Sequence, residues 1–154
     1  MARETSAGVL AFRRAAGGPQ VLLVHPGGPY WAGKDEAAWS IPKGLVEVDE
    51  ETWAAAQREF AEELGQPVAG DPTPLTACPT PGGKLILAWL VQADLDLTGL
   101  RSNEFEMEWP PRSGRRASFP EVDRAAYFDA ATAVRKIHKG QRPILSEAVL
   151  RLKA

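Results

Sequence analysis

The segment from Gly44 to Gly65, GLVEVDEETWAAAQREFAEELG, constrains this chain more than any other. From Asp49 to Leu64 its pattern is helical. Trp53, Ala56, Phe60 and Leu64 recur at helical spacing and mark a stripe for burial. Asp49 is the expected N-cap, with Glu50 and Glu51 in the first turn and Gly65 as the stop. Glu59, Glu62 and Glu63 stand at i, i+3 and i+4, which at about 100° per residue gathers three carboxylates within roughly 100° of arc. Three like charges that close repel one another. The arrangement makes chemical sense if a hard divalent cation sits among them, since Mg2+ and Mn2+ prefer carboxylate oxygens. The acidic arc lies beside the apolar stripe, so one helix can dock on a sheet and still present carboxylates at the edge of a cleft.

The rest of the chain reads as strands, turns and two more helices. Residues 6–13 and Gln20 to Val24 are apolar runs of strand length, paired as a hairpin through Gly17-Gly18. Residues 26–37 form a Pro- and Gly-punctuated loop, and Trp39 to Pro42 read as a short strand leading into Lys43-Gly44. A second hairpin joins a weak strand, Pro74 to Pro79, to a strong one, Lys84 to Gln92, through Pro81-Gly82-Gly83. Residues 94–120 read as a long irregular stretch, of the kind that is often functional. Arg124 to Phe128 is a last strand, and Ala130 to Ile137 and Pro143 to Leu152 are late helices split by Lys139-Gly140. No boundary divides the 154 residues, so a single domain over 1–154 is expected.

Bulk properties narrow the functional classes. The net charge of −2 supplies no field that would draw the chain onto nucleic acid or an anionic membrane. A polyanionic substrate then needs local basic side chains or bound cations. A single cysteine, Cys78, rules out an intrachain disulfide and suits a reducing cytoplasm. The first residues lack the basic-then-apolar pattern of a signal peptide, and no run approaches the ~20 apolar residues that span a bilayer.

The segment resembles the Nudix box. Gly44 is followed by five residues and Glu50. Seven more lead to Arg58-Glu59-Phe60, then Ala61, Glu62, Glu63, Leu64 and Gly65. All seven specified positions match at fixed spacing. Phe60 is aromatic where aliphatics are commoner, and Gln66 replaces a final apolar residue. The longer run, with HPGGPYW before the box and FEMEWPPRSGRR after it, is similar to a bacterial branch of Nudix pyrophosphohydrolases.

The resemblance implies a Nudix fold, an α/β/α sandwich with a central mixed sheet whose box helix and late helices cover opposite faces. It implies a cytoplasmic, Mg2+-dependent hydrolase, with Mn2+ as a substitute, cleaving a pyrophosphate bond in a nucleoside diphosphate derivative. A nucleoside triphosphate or dinucleoside polyphosphate is the expected small-molecule substrate. Glu59, Glu63 and Glu62 would be metal ligands with the Gly44 carbonyl. Arg58 would hold the glutamates by ion pairing, and Glu50 would reach back toward the metal site. The residue that removes a proton from the attacking water often lies outside the box, which makes Glu106 and Glu108 candidates. Similar proteins are frequently homodimers. A catalytically silent binding or regulatory module on the same fold is the alternative.

Other residues admit two readings. Lys43 is either a phosphate contact or a solvated lysine. Arg112, Arg115 and Arg116 beside Trp109 are either a phosphate-and-base site or an exposed loop. His25, Tyr30 and Trp31 either line the pocket or pack at a strand end. His138, near the end of the chain, is given no chemical role, and Cys78 reads as a small core residue.

Overall fold

The computed structural model describes residues 4–153. In chain order its strands are β1 (Thr5–Ala15), β2 (Gly18–Pro26), β3 (Lys43–Leu45), β4 (Thr73–Pro74), β5 (Cys78–Pro79), β6 (Leu85–Gln92), β7 (Glu104–Glu108), β8 (Arg116–Pro120) and β9 (Val122–Asp129). The helices are α1 (Thr52–Leu64), α2 (Ala130–Lys136) and α3 (Arg142–Lys153). Seven strands form one mixed sheet with the order β4-β6-β1-β2-β9. There β3 pairs with β1 and β5 with β6. The β1–β6 pairing is parallel and the others are antiparallel. No helix among the described residues is long and apolar enough to cross a membrane.

Strand periodicity explains how the sheet is buried on both sides. In β1, Ala7, Val9 and Ala11 pack with Ala55, Ala56, Phe60 and Leu64 of α1. The intervening Leu10 and Phe12 face Ala133 of α2 and Ile144, Leu145 and Ala148 of α3. The same alternation divides Leu22 and Val24 of β2 from Val21 and Leu23. A strand covered on both faces has no polar side to alternate with, which is why β1 and β2 read as continuous apolar runs. Each large apolar side chain buried this way contributes roughly 1.5–3 kcal/mol. The expected sandwich, with α1 opposite α2 and α3, is the observed one.

Several local expectations are corrected. Helix α1 is capped by Glu51, whose carboxylate accepts from the Ala54 N–H at 2.8 Å. Asp49 instead sits in the left-handed region at φ 63°. The Glu50 carboxylate, turned back to accept from the Glu47 N–H at 3.0 Å, closes a turn that delays the helix. Trp39 to Pro42 makes isolated bridges only, Ser40 to Val24 and Trp39 to Ile137. The third strand starts at Lys43, directly after the expected stretch rather than within it. The weak strand at Pro74–Pro79 is two short pairings, Thr73–Pro74 and Cys78–Pro79. Residues 94–120 are not irregular: β7 and β8 pair over Glu104–Glu108 and Arg116–Pro120 as a separate two-stranded sheet. The last strand also begins earlier, at Val122.

Candidate active site

Arg58 organises the edge of α1. Its guanidinium donates from Nε and Nη2 to the two oxygens of Glu50, at 2.8 and 2.9 Å. Nη1 reaches Glu59 Oε1 at 2.9 Å and both Glu62 oxygens at 3.3 Å, and Nη2 also donates to the Leu45 carbonyl. A planar fork with several donors suits this task, and the bidentate pair with Glu50 is its strongest element. Arg58 hydrogen bonding holds the Glu50 carboxyl down at about 2, with help from the Glu47 backbone amide. The guanidinium itself is pushed higher by the same bonds. Arg58 thus ties α1 to the turn before it and offsets the repulsion among the acids.

Glu63 points the other way. It is buried, only 8% exposed, and its Oε2 has no hydrogen-bond partner. Burial first, and the Glu59 charge second, push its carboxyl up to about 9, while Lys43 pulls it back down. Glu59 is also raised by burial, against the opposing pull of Arg58. Gly44 in β3 lies against this pair, and a Cβ there would fall 2.0 Å from the Glu59 carboxyl carbon. The sheet backbone and the acidic edge meet at that point because glycine lets them. The three glutamates do not converge as the side chains stand. Glu59 and Glu62 turn to Arg58 and Glu63 turns inward, so no group of three or more acidic, His or Cys side chains among the described residues is gathered at metal-holding distance. The oxygen-rich donor set still fits a hard cation, and the unpartnered buried oxygen of Glu63 is the atom such an ion would satisfy.

Beside this edge is a cleft of about 200 Å³ lined by Lys43, Glu63, Glu121, Ser40, Pro26 and Val24. Glu121 was not singled out from the sequence. It stands between β8 and β9, and burial followed by the Glu62 charge raises its carboxyl. Its charge raises Glu59 and Glu63 in turn. Glu106 and Glu108 are elsewhere, on the exposed face of β7. Glu106 faces Arg116 at 3.9 Å, and Glu108 accepts from the Arg112 N–H at 2.8 Å. Neither makes a hydrogen bond or ion pair with the box.

The two long connections meet. Gly27 donates to the Glu121 carbonyl at 2.9 Å, Gly28 lies against Phe105, and the rings of Tyr30 and Trp109 pack edge to face at 5.5 Å. The root of the β7–β8 hairpin is tied to α1, since the Asn103 N–H donates to the Glu62 carbonyl at 2.8 Å. Arg112, Arg115 and Arg116 are exposed. His25 is fully buried, with its ring nitrogens 2.8 Å from Asp123 Oδ1 and 2.6 Å from the Lys34 carbonyl, so it belongs to the framework.

A model of the Nudix domain matches residues 2–148, nearly the whole chain. The chain belongs to the Nudix hydrolase family. Solved structures share the Nudix fold. An Ap4A hydrolase binary complex from C. elegans aligns with a TM-score of 0.67 at 21% identity, covering 97% of this chain and 98% of that one. The NUDIX domain of Shewanella oneidensis NrtR, complexed with ADP ribose, aligns with a TM-score of 0.69 at 14% identity, covering 99% and 90%. A MutT NUDIX hydrolase from Burkholderia pseudomallei aligns at 0.58 and 16%, covering 96% and 98%. No curated protein sequence matches the chain.

Proposed function

We propose that this Nudix protein is a divalent-cation-dependent hydrolase that cleaves a phosphoanhydride bond in a nucleoside diphosphate derivative. The observation that carries this reading is Glu63, a buried carboxylate with an orphaned oxygen beside a second carboxylate. Leaving such an atom unpaired costs about 1–3 kcal/mol, which a fold tolerates where a ligand makes up the difference. Glu59, Glu63, Glu62 and the Gly44 carbonyl would hold the cation, Mg2+ or Mn2+. When bound it would neutralise phosphate charge and acidify a water molecule.

The chain's own residues supply the remaining parts. Arg58 keeps Glu59 and Glu62 on one edge. Lys43, which lines the cleft with Glu63, offers an ammonium to a substrate oxygen. Glu121 takes the proton from the attacking water in this reading. Its raised carboxyl makes it a stronger base than a free glutamate, and it shares the cleft with Glu63. The exposed Glu106 and Glu108 are assigned no step. In this reading Trp109 and Arg112 of the hairpin, with Tyr30 of the 26–37 loop packed against Trp109, would contact the nucleoside. A nucleoside triphosphate or a dinucleoside polyphosphate is the substrate we favour. The C. elegans neighbour, an Ap4A hydrolase by name, supports the latter at low identity.

The second reading is a binding module without turnover. The grip of Arg58 on three carboxylates favours it, because Glu50, Glu59 and Glu62 are all engaged. The two separate on a nucleotide panel with Mg2+ and coupled phosphate detection. The hydrolase should turn over at least one member, and Glu63→Gln should cut that rate by about two orders of magnitude or more while the protein stays folded. Turnover unaffected by Glu63→Gln overturns the assignment of the site. A panel without turnover leaves the binding module.

A further inference from the structure

Glu121 lies in the single-residue break between β8 and β9, so its backbone is held by other parts of the chain. Its N–H donates to the Asn103 carbonyl at 2.8 Å, and its carbonyl accepts from the Gly27 N–H at 2.9 Å. Gly27 comes that close because it has no side chain: a Cβ there would fall 2.0 Å from the Pro120 carbonyl oxygen. Just beyond Glu121 the pairing of β2 with β9 slips. His25 lies opposite Arg124 and Pro26 opposite Val122, so Asp123 is an extra residue. Such a bulge bends a strand and re-aims the side chains beside it. The Asp123 carboxylate is pinned 2.8 Å from the buried His25 ring.

Residues 101–103 form a strap from this point to the box helix. The Arg101 N–H donates to the Leu64 carbonyl at 3.4 Å, and the Asn103 N–H to the Glu62 carbonyl at 2.8 Å. These carbonyls belong to the last turn of α1 and have no partner within the helix. Gly65, the final glycine of the box, makes room for the strap, since a Cβ on it would fall 2.6 Å from the Arg101 carbonyl oxygen. The helix that bears the acids and the backbone of Glu121 are therefore joined through three residues.

Ser102 supplies the side chain of that joint. Its Oγ accepts from the Val122 N–H at 2.9 Å and donates to the Asn103 carbonyl at 2.8 Å. Both peptide groups that flank the Glu121 Cα are thereby anchored, the one before it by Asn103 and the one after it by Gly27 and Ser102. With both planes held, the two soft dihedrals of Glu121 have little freedom. Val122 is buried and lines the cleft with Glu121 and Glu63, so its N–H has few substitutes for the Ser102 oxygen. Ser102 itself is not part of that lining.

We infer that Ser102 is a positioning residue for hydrolysis, its hydroxyl holding Glu121 at a fixed reach from the acidic edge of α1 by way of the 101–103 strap. This rests on the hydrolase reading, with Glu121 as the base, and it deepens it. A base must stand about 2.6–3.2 Å from the proton it takes. A displacement of about 1 Å costs up to about a hundredfold in rate.

The test compares Ser102→Ala and Ser102→Thr with wild type, as full chains with Mg2+ and a nucleotide that wild type turns over. Ser102→Ala should lower kcat about tenfold with KM within about twofold, and Ser102→Thr, which keeps the hydroxyl, should recover most of the loss. In a Glu121→Gln background, Ser102→Ala should cost less than about twofold more, because the group it places is already gone. Hydrogen exchange at the Val122 amide should quicken by about tenfold or more in Ser102→Ala, with unchanged circular dichroism. Wild-type kcat in Ser102→Ala overturns the role. So does an equal loss in the alanine and threonine variants, or the full tenfold loss repeated on Glu121→Gln, either of which marks the strap as packing alone. If Ser102→Ala does not fold, Ser102→Cys, close in size but a weaker acceptor, is held to the same outcomes. Wild type that turns over no nucleotide overturns the hydrolase reading and the positioning role together. Wild-type turnover that Ser102→Ala leaves intact removes the positioning role alone.

Discussion

At the scale of single residues, Gly44 shows how closely the site is built. Its backbone lies where any side chain would enter the Glu59 carboxyl group, at 2.0 Å from the carboxyl carbon. Gly44→Ala must therefore push Glu59 aside or move β3. We expect kcat/KM to fall tenfold or more, with the variant still folded by circular dichroism. An alanine variant with wild-type activity would show that Glu59 has free space to move. Arg58, Glu59, Glu62 and Glu63 were legible in the sequence because they lie within a few turns of one helix, where spacing alone fixes neighbours. Glu121 was not. It reaches the cleft through the crossing of β8 into β9, and no local pattern distinguishes it from other surface acids. Glu106 and Glu108 were reasonable candidates by sequence, but strand alternation turns both to the exposed face of β7.

At the scale of elements, the box helix was recognisable from its apolar stripe, whereas its start was not. Asp49 is the better N-cap by intrinsic preference, yet Glu50 is drawn to Arg58 and the capping role passes to Glu51. A side chain eight positions along the chain thus overrides the local rule. Helix α2 keeps to the rule: the Asp129 carboxylate accepts from the Thr132 N–H at 2.8 Å. That bond holds the Asp129 carboxyl below its usual value of 3.8. A carboxyl lowered in the folded state stabilises the fold above its ordinary value and stops doing so as the pH falls through the lowered one. Between pH 5 and pH 2 (about the span in which such a carboxyl titrates), the melting temperature of Asp129→Asn should fall less steeply than that of wild type. Parallel curves in a thermal melt series would remove the cap from the account. The hairpin of β7 and β8 escaped sequence reading because its strands carry polar residues on one side and face the 26–37 loop on the other. Strands without a continuous apolar run announce themselves weakly.

At the scale of the whole molecule, the sheet separates two jobs. One face carries the α2–α3 core, and the other seats α1 and so fixes the acidic edge against β3. Phe60 is the fulcrum of that second core, fully buried between Glu59 and Ala61 on the helix that bears the acids. Phe60→Ala should cost about 3–5 kcal/mol. For a domain of this size that lowers the melting temperature by about 2–4 °C per kcal/mol. Activity per folded molecule should fall too, because α1 then sits loosely. A Phe60→Ala protein that melts within a degree of wild type would mean that α1 is held by its Arg58 contacts instead.

The sequence by itself determined the main apolar strands, the box helix and the identity of four clustered charges, since these depend on periodicities of two and 3.6 residues and on contacts within one turn or two, while the sandwich architecture was implied by the resemblance of the box to the Nudix family. Only the tertiary structure decided that Glu121 joins Glu63, that Lys43 lines both the acidic cleft and a neighbouring cavity, and that Lys84 and His138, far apart in the sequence, line that same cavity. Those arrangements depend on which strands lie side by side in the sheet. Strand order is set by the balance of packing over the whole core, and no single stretch of residues encodes it.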